Sequence, residues 1–388
     1  MSKVFIISAC RTPIGSFQGQ FEKHSASELG AIVINEAVLR AKLIPEDIDQ
    51  CIMGQVLTAG QGQNPARQAS VQARIPQNTT AFTVNMLCGS GLKAVALGFQ
   101  AIKNDDCAVV VVGGQENMTR AQHSAYMRGA KLGSLNLCDT ILNDGLTDAF
   151  HKVHMGNTAE HLAKTYNIPK QEQDKFALLS QTKALAAQKS GYFDAEIVGV
   201  QHKKTKSLIL RDEYPKADCT LEKLAKLPLV FDQNGTVTAG NASGINDGAA
   251  ALVLSSGYQV MQKGMTPLAE ILAYAEVGIE PMCMGLGPIE AVRKVLSKCG
   301  WSKDDVDLFE LNEAFAVQSL ICMSELELDV SKVNVTGGAI ALGHPIGASG
   351  ARCLVTLIHN LMRLKKKKGV VALCIGGGMG IAMAVELC

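Results

Sequence analysis

The sequence predicts an α/β protein made of two duplicated βαβ-type core domains with a loop domain inserted between them. Three observations carry this. Short runs rich in Val and Ile alternate with helical patterns of about ten to fifteen residues, the mark of βαβ units with a mostly parallel sheet covered by helices. The same succession occurs twice, as a duplicated supersecondary unit requires. Between the copies, over 119–239, the pattern dissolves into polar loops, one long helix and turns. At 388 residues and roughly 150 per domain, the chain has room for two or three domains and large cores without disulfide or metal staples.

The elements follow in order. An apolar strand occupies 4–7. A helical pattern over 29–41 leads through a polar turn, 45–49, into a strand at 50–54. Val84 and Asn85 precede Cys88, an apolar helix over 92–103, and a strand at 108–112 that ends on Gly113 and Gly114. The insert carries its long helix near 171–190. Regular structure returns at 241–248, Asn-Ala-Ser-Gly-Ile-Asn-Asp-Gly, where small residues let another backbone or a ligand approach. The following run, 249–254, reads as either helix or strand. The second copy has a helix at 289–299, a polar turn at 302–307, a strand at 308–312, and a Gly-rich loop around His344. A helix from about 350 to 364 and a strand at 370–374 complete it. The expected domains are 1–118, completed by 240–265, as the N-terminal core, 119–239 as the loop domain, and 266–388 as the C-terminal core. Lys365 to Lys368, between helix and strand, reads as a solvated turn that complements the helix dipole.

Composition excludes several classes. The 37 Lys+Arg against 36 Asp+Glu give a net charge of +1, with no acidic or basic half, so no nucleic-acid footprint or membrane-surface patch is expected. No apolar run reaches the roughly 18 residues that span a bilayer. Twelve cysteines are about 3% of the chain, far below a disulfide scaffold, and no signal-peptide or Arg-rich presequence pattern precedes the first strand. The C-terminal Val-Glu-Leu-Cys is neither a peroxisomal address nor a prenylation box. A reduced, cytoplasmic protein is expected. The closest two cysteines, Cys374 and Cys388, are 14 residues apart, which excludes the spacing of structural zinc. His151, His154 and His161 compete as metal ligands on one helix face, but they lack a neighbouring Cys or paired carboxylate, so no metal is expected.

Four places are candidates for chemistry. Cys88, in Cys-Gly-Ser-Gly at the start of an apolar helix, faces unpaired backbone N–H groups and the positive dipole end, which favour thiolate; the competing reading is a buried filler. His344 lies in a loop with five glycines in fourteen residues, 337–350. Neutral imidazole there accepts a thiol proton or donates to an oxyanion, or else is structural. Cys374, in Cys-Ile-Gly-Gly-Gly-Met-Gly, ends a strand, where open α/β sheets place ligands. A dinucleotide fingerprint needs a following helix and strand, and only eight residues remain after Gly380. Asn312, in Asn-Glu-Ala-Phe-Ala at a strand-to-helix transition, is a helix cap or a functional amide.

Together these four motifs resemble the thiolase family, and the likeness runs from Arg11-Thr-Pro to Gly380. His154-Met-Gly and the 241–248 stretch resemble its short-chain biosynthetic branch, the acetyl-CoA acetyltransferases. The resemblance implies a thiolase-like five-layered αβαβα fold and a reversible condensation of two acetyl-CoA to acetoacetyl-CoA plus CoA. Coenzyme A thioesters are then substrates, with no cofactor. It implies that Cys88, activated by His344 and the helix terminus, carries the acetyl group, and that Cys374 is the acid/base. His344 and a water held by Asn312 would form the enolate oxyanion site, and the backbone N–H groups of Cys88 and Gly376 a second one. Met155 would close the acyl pocket, Phe231 and Phe315 would form its walls, and His154 and Ser243 would lie near the pantetheine. For the two Phe residues, plain core packing competes. Lys216 departs from the family, which often carries Arg toward the nucleotide end of coenzyme A. Segment 120–143 resembles the loop through which tetrameric members associate, implying a homotetramer. Alternatives are a broad-specificity 3-ketoacyl-CoA thiolase and a catalytically silent thiolase-like scaffold. A nicotinamide oxidoreductase fails on the absent fingerprint.

Overall fold

The protein is described by a computed structural model over residues 3–129 and 131–388. Ten strands form its main sheet: β1 (Val4–Arg11), β2 (Gly15–Ser16), β3 (Gln50–Gly54), β4 (Thr80–Val84), β5 (Val109–Asn117), β6 (Asn246–Ser256), β7 (Ala269–Gly278), β8 (Leu308–Leu311), β9 (Lys368–Ile375) and β10 (Met379–Leu387). The helices that matter for the site are α1 (Ala26–Arg40), α2 (Pro65–Gln72), α3 (Ser90–Lys103), α4 (Met155–Tyr166), α5 (Lys170–Lys189), α6 (Gly287–Cys299), α7 (Ala316–Glu325) and α8 (Ser349–Leu364). The run at 249–254 is strand, inside β6. Among the described residues, no helix is long and apolar enough to cross a membrane.

The duplication is visible in the strand order, β8-β9-β10-β7-β1-β6-β5-β3-β4, with β2 on β6. Reading β3, β5, β6, β1 and then β8, β9, β10, β7, both series pair parallel, antiparallel, antiparallel. They meet where Phe5 and Ile6 of β1 pair with Glu270 and Ala269 of β7, so hydrogen bonds join the two halves into one sheet. Three of the nine pairings in this sheet are parallel, so the expectation of a mostly parallel sheet is corrected to a mixed one. The cause is local. The alternation of strands and helices describes only strands joined by helical crossovers, whereas β9 returns as β10 through the three residues Gly376, Gly377 and Gly378, and so short a link makes an antiparallel hairpin. Gly377 and Gly378 have φ of +79° and +80°, and a Cβ on Gly378 would lie 2.3 Å from Ile279 O. Only glycine fits that turn.

Five layers follow from which face each strand residue presents. In β5, Val109 and Val111 pack with α1 and α2, while Val110 and Val112 pack inward. In β9, Val371, Leu373 and Ile375 pack inward, and Val370, Ala372 and Cys374 face the cluster containing α6 and α7. The inner cluster draws Leu92 and Val95 of α3 and Leu354, Leu357 and Ile358 of α8 between residues of both half-sheets. The order is therefore helices, half-sheet, α3 with α8, half-sheet, helices. Strands covered on both faces lose the polar alternation of half-exposed ones and read as continuous apolar runs; each buried Val or Leu contributes about 1.5–3 kcal/mol.

The β5-to-β6 connection holds α4 and α5. A buried cation ties it to the core: Arg11 of β1 forks onto Asp212 at 2.7 and 3.0 Å and reaches Glu196 at 2.5 Å. Burial of these charges is tolerated because each guanidinium bond has an acceptor.

Candidate active site

Cys88 precedes α3 on a tight turn in which Leu87 takes φ +47°. Ser90 Oγ closes the turn, donating to Leu87 O at 2.6 Å and accepting from Met86 N–H at 2.8 Å. The absent Cβ of Gly89 decides what lies next to it, because one built there would fall 2.4 Å from Ile375 Cδ1. The end of β9 thus packs directly on the turn. From the other side, a Cβ on Gly376 would be 3.1 Å from Leu87 Cδ1 and 3.4 Å from Met155 Sδ. Residues from both halves of the duplication meet here.

The helices α3 and α8 bring in the histidine. Cβ atoms on Gly91 and Gly350 would lie 2.7 Å from Ala351 N and 2.4 Å from Leu92 N, and one on Gly114 would lie 2.2 Å from Gly347 O. Backbone against backbone at these points sets the loop before α8 against the start of α3. Glu116 of β5 holds that loop, accepting from Gly347 N–H at 2.9 Å while also accepting from Val56 and Leu57 N–H. Burial pushes its carboxyl up to about 7 against these three donors. Gly343 takes φ +105°, and His344 N–H donates to Asn246 Oδ1 at 2.9 Å.

The imidazole is buried. Its Nδ1 lies 2.6 Å from Ser349 Oγ, whose hydroxyl proton goes to Pro345 O at 2.9 Å. Ser349 therefore accepts, Nδ1 carries the ring proton, and Nε2 is left with its lone pair. Burial, with the Arg352 charge, lowers the His344 pKa to about 3. Nε2 is 3.5 Å from Asn312 Nδ2, and the Asn312 Oδ1 accepts from the Cys353 thiol at 3.8 Å. Asn312 caps no helix: α7 starts at Ala316 with Phe315 at its N-cap. Its neighbour Glu313 is the clamp, accepting from Ser180 Oγ at 2.6 Å, Asn334 Nδ2 at 2.8 Å and Ile340 N–H at 3.2 Å.

Cys88, His344, Cys374 and Gly376 line one cavity of about 360 Å³, together with His154, Met155, Phe231, Ser243 and Phe315. Asn312 is buried behind His344 and reaches the cavity through it. His154 is the N-cap of α4, its Nδ1 accepting from Gly156 N–H at 3.0 Å, and its ring stacks on Phe231 at 4.6 Å. His151 faces Asp148 instead. Among the described residues, no three His, Cys, Asp or Glu side chains are grouped to hold a metal ion. Phe231 and Phe315 belong at once to the cavity wall and to the core cluster of the second half. Lys216 does not line the cavity; its ammonium sits over the ring of Tyr214, which does.

Residues 4–257 match the thiolase N-terminal domain and residues 265–387 the thiolase C-terminal domain. The chain belongs to the thiolase family. It is 51% identical over 391 residues to an acetyl-CoA acetyltransferase of Cupriavidus necator, with 100% of each chain covered. It is 52% identical to a cytosolic acetyl-CoA acetyltransferase of Rattus norvegicus, over 99% of this chain and 98% of that one. The crystal structure of the Bacillus anthracis acetyl-CoA acetyltransferase superposes with a TM-score of 0.97 at 43% identity, covering 100% of this chain and 99% of that one.

One expectation is corrected. The helix terminus was expected to depress the Cys88 thiol, but burial pushes it up to about 11, with the N–H groups of Gly376 and of Cys88 itself pulling the other way. Desolvation of the anion outweighs the dipole here. Cys374 is raised well above an ordinary thiol, by burial first and then because a thiolate there would be repelled by one at Cys88 or Cys322. The resting site of this thiolase is two thiols and a neutral imidazole. Sequence reasoning passed over Ser349, Asn246, Glu116 and Glu313, which hold the reacting groups. Glu116 offered a signal: a carboxylate between Gln115 and Asn117 at the end of a strand that opens with four valines.

Proposed function

We propose that this thiolase is an acetyl-CoA acetyltransferase that condenses two acetyl-CoA to acetoacetyl-CoA and CoA, and runs the reverse thiolysis, through an acetyl-Cys88 intermediate. The observation that carries the reading is the convergence of Cys88, Cys374 and unprotonated His344 on one apolar cavity. Cys88 Sγ attacks the thioester carbonyl as its proton passes to His344 Nε2, which the Ser349 bond leaves free to accept. With the thiol raised to about 11, attack and proton transfer are coupled, since free thiolate is scarce at neutral pH. The N–H groups of Cys88 and Gly376, already turned toward Sγ, are placed to receive the oxyanion, and one such donor contributes about 3 kcal/mol. The tetrahedral intermediate collapses, CoA leaves with the proton of the Cys374 thiol, and the acetyl group stays on Cys88. A second acetyl-CoA then loses an α-proton to the Cys374 thiolate, its oxygen stabilised by the Nε2–H that His344 gained from Cys88 and by a water held by Asn312. The resulting carbon attacks acetyl-Cys88, and Cys88 leaves as thiolate and takes its proton back from His344 Nε2.

Met155, buried beside Gly376, limits the acyl pocket to short chains. Coenzyme A thioesters are substrates and no cofactor takes part. We further assign the protein to the cytosol, as the rat relative's name states for that protein, and to a homotetramer. The exposed Tyr126, Met127, Leu132, Leu135 and Leu137 lie between the short paired strands His123–Ser124 and Cys138–Asp139 and suit such a contact; Ala130 of this segment lies outside the described residues. A solution mass of twice 41.2 kDa instead of four times would overturn the tetramer.

The test of the activity is acetylation of Cys88 by acetyl-CoA alone, read by intact mass. Cys88→Ser should take up none, and Cys374→Ala should become acetylated but not condense. Full condensation by Cys374→Ala removes that residue from its role. Thiolysis of acetoacetyl-CoA against a long-chain 3-ketoacyl-CoA separates this reading from a broad-specificity thiolase.

A further inference from the structure

Helix α8 carries a buried polar ridge among apolar neighbours: Ser349, Arg352, Thr356 and Asn360, spaced three, four and four residues apart on one face. Three members have partners. Ser349 holds His344 Nδ1, Thr356 donates to Glu196 at 3.1 Å, and Asn360 donates to Thr336 at 2.9 Å. Arg352 differs. Its side chain is 2% exposed, its nearest carboxylate oxygen is Glu310 Oε2 at 3.9 Å, also 2% exposed, and none of its three guanidinium nitrogens reaches a hydrogen-bond acceptor among the described residues. A buried cation without full compensation is an expensive arrangement, and its place is informative. Glu310 is two residues before Asn312 on the strand leading to it, and Arg352 is one turn beyond Ser349, the residue that orients His344. Arg352 also precedes Cys353, whose thiol contacts Asn312.

We propose that Arg352 is a positioning residue whose uncompensated charge, set behind the Asn312 and His344 pair, strengthens that pair as the oxyanion site for the enolate. The inference rests on the acetyltransferase reading. A cation in a low-dielectric interior favours negative charge on a nearby oxygen and disfavours a protonated imidazole before reaction, in keeping with its part in holding His344 neutral. Glu310 does not cancel it fully: its oxygen stands 3.9 Å away, beyond hydrogen-bond reach, and burial pushes that carboxyl up, disfavouring its charged form.

The experiment compares the unsubstituted protein with Arg352→Gln, Arg352→Lys and the double variant Arg352→Met/Glu310→Leu. Three readouts are taken: acetyl uptake on Cys88, exchange of acetyl-CoA α-protons with deuterated water, and steady-state condensation. Arg352→Gln should lose exchange and condensation roughly 10- to 100-fold in kcat with KM for acetyl-CoA within about twofold, because Arg352 does not line the cavity. Arg352→Lys, keeping the charge, should recover most of that loss. The double variant leaves no orphaned carboxyl in the core and carries the same expectation if the single neutral variant does not fold. A folded neutral variant with parental kcat, a loss confined to KM, or a Lys variant no better than Gln overturns the proposal while leaving the acetyltransferase reading intact. Absence of acetyl uptake in the unsubstituted protein overturns both.

Discussion

Ser349→Ala tests the claim that the site works through a fixed imidazole tautomer. The Nδ1 proton of His344 is buried, and its acceptor among the described residues is Ser349 Oγ at 2.6 Å. Removing that oxygen leaves a buried donor unmet, worth about 1–3 kcal/mol, in the resting enzyme. When Nε2 takes the Cys88 proton the ring becomes cationic, and the same bond, now charge-assisted, is roughly twice as strong. Only the difference between the two states enters kcat. Taking it as about 1.5–3 kcal/mol at 1.36 kcal/mol per decade gives a loss of roughly 10- to 150-fold. The assay is steady-state thiolysis of acetoacetyl-CoA, with KM expected within about twofold because Ser349 does not line the cavity. In a His344→Ala background the same change should have almost no further effect, since the two residues act as a unit. A folded Ser349→Ala enzyme with kcat within twofold of the parent, or full additivity with His344→Ala, refutes the tautomer argument.

Further outcomes follow from the same geometry. His344 titrates at about 3, so it stays neutral far below the ordinary 6.5. The acid limb of kcat should fall below pH 5, and half-loss near 6.5 would contradict the burial argument. Stability falls in the same direction but over a higher range: the unfolded chain binds a proton on this ring below about 6.5, so stability is lost as pH drops from there to about 3. Met155→Ala should raise the activity ratio of longer 3-ketoacyl-CoA to acetoacetyl-CoA at least about threefold by removing roughly two to three methylenes of wall, read by a chain-length profile; an unchanged ratio moves the specificity wall elsewhere. Gly114→Ala places a Cβ where 2.2 Å separates it from Gly347 O, forcing the His344 loop away. A stability loss of about 2 kcal/mol or more in urea unfolding, with a lower kcat, is expected, and a neutral result would deny the close packing.

The sequence was most legible where one helix follows one strand. The helices found at Ser90–Lys103 and Ser349–Leu364, and the strands at Gln50–Gly54, Leu308–Leu311 and Lys368–Ile375, lie within a few residues of their expected places, because both cores bury whole apolar faces and periodicity reports that directly. The strand Met379–Leu387 was not read, since a three-glycine hairpin leaves no helical spacer to mark a new element. The four candidate positions were legible for another reason. Cys88, Asn312, His344 and Cys374 stand in loops so rich in glycine or so abruptly placed at strand and helix ends that packing alone does not account for them.

By itself, then, the chain determined a repeated strand-and-helix unit, an interrupting insert, and a short set of reactive side chains at element ends, all of which are local patterns of polarity and backbone freedom. Only the tertiary structure decided that the halves join through β1 and β7 in a mixed sheet, that Cys88 is held as a neutral thiol, and that Ser349, Glu116 and Glu313 fix the loops. Those outcomes depend on how much water a group loses and on which distant atoms come within hydrogen-bond reach. Neither quantity is a property of any stretch of sequence until the glycines of α3, α8 and β5 let the backbones touch.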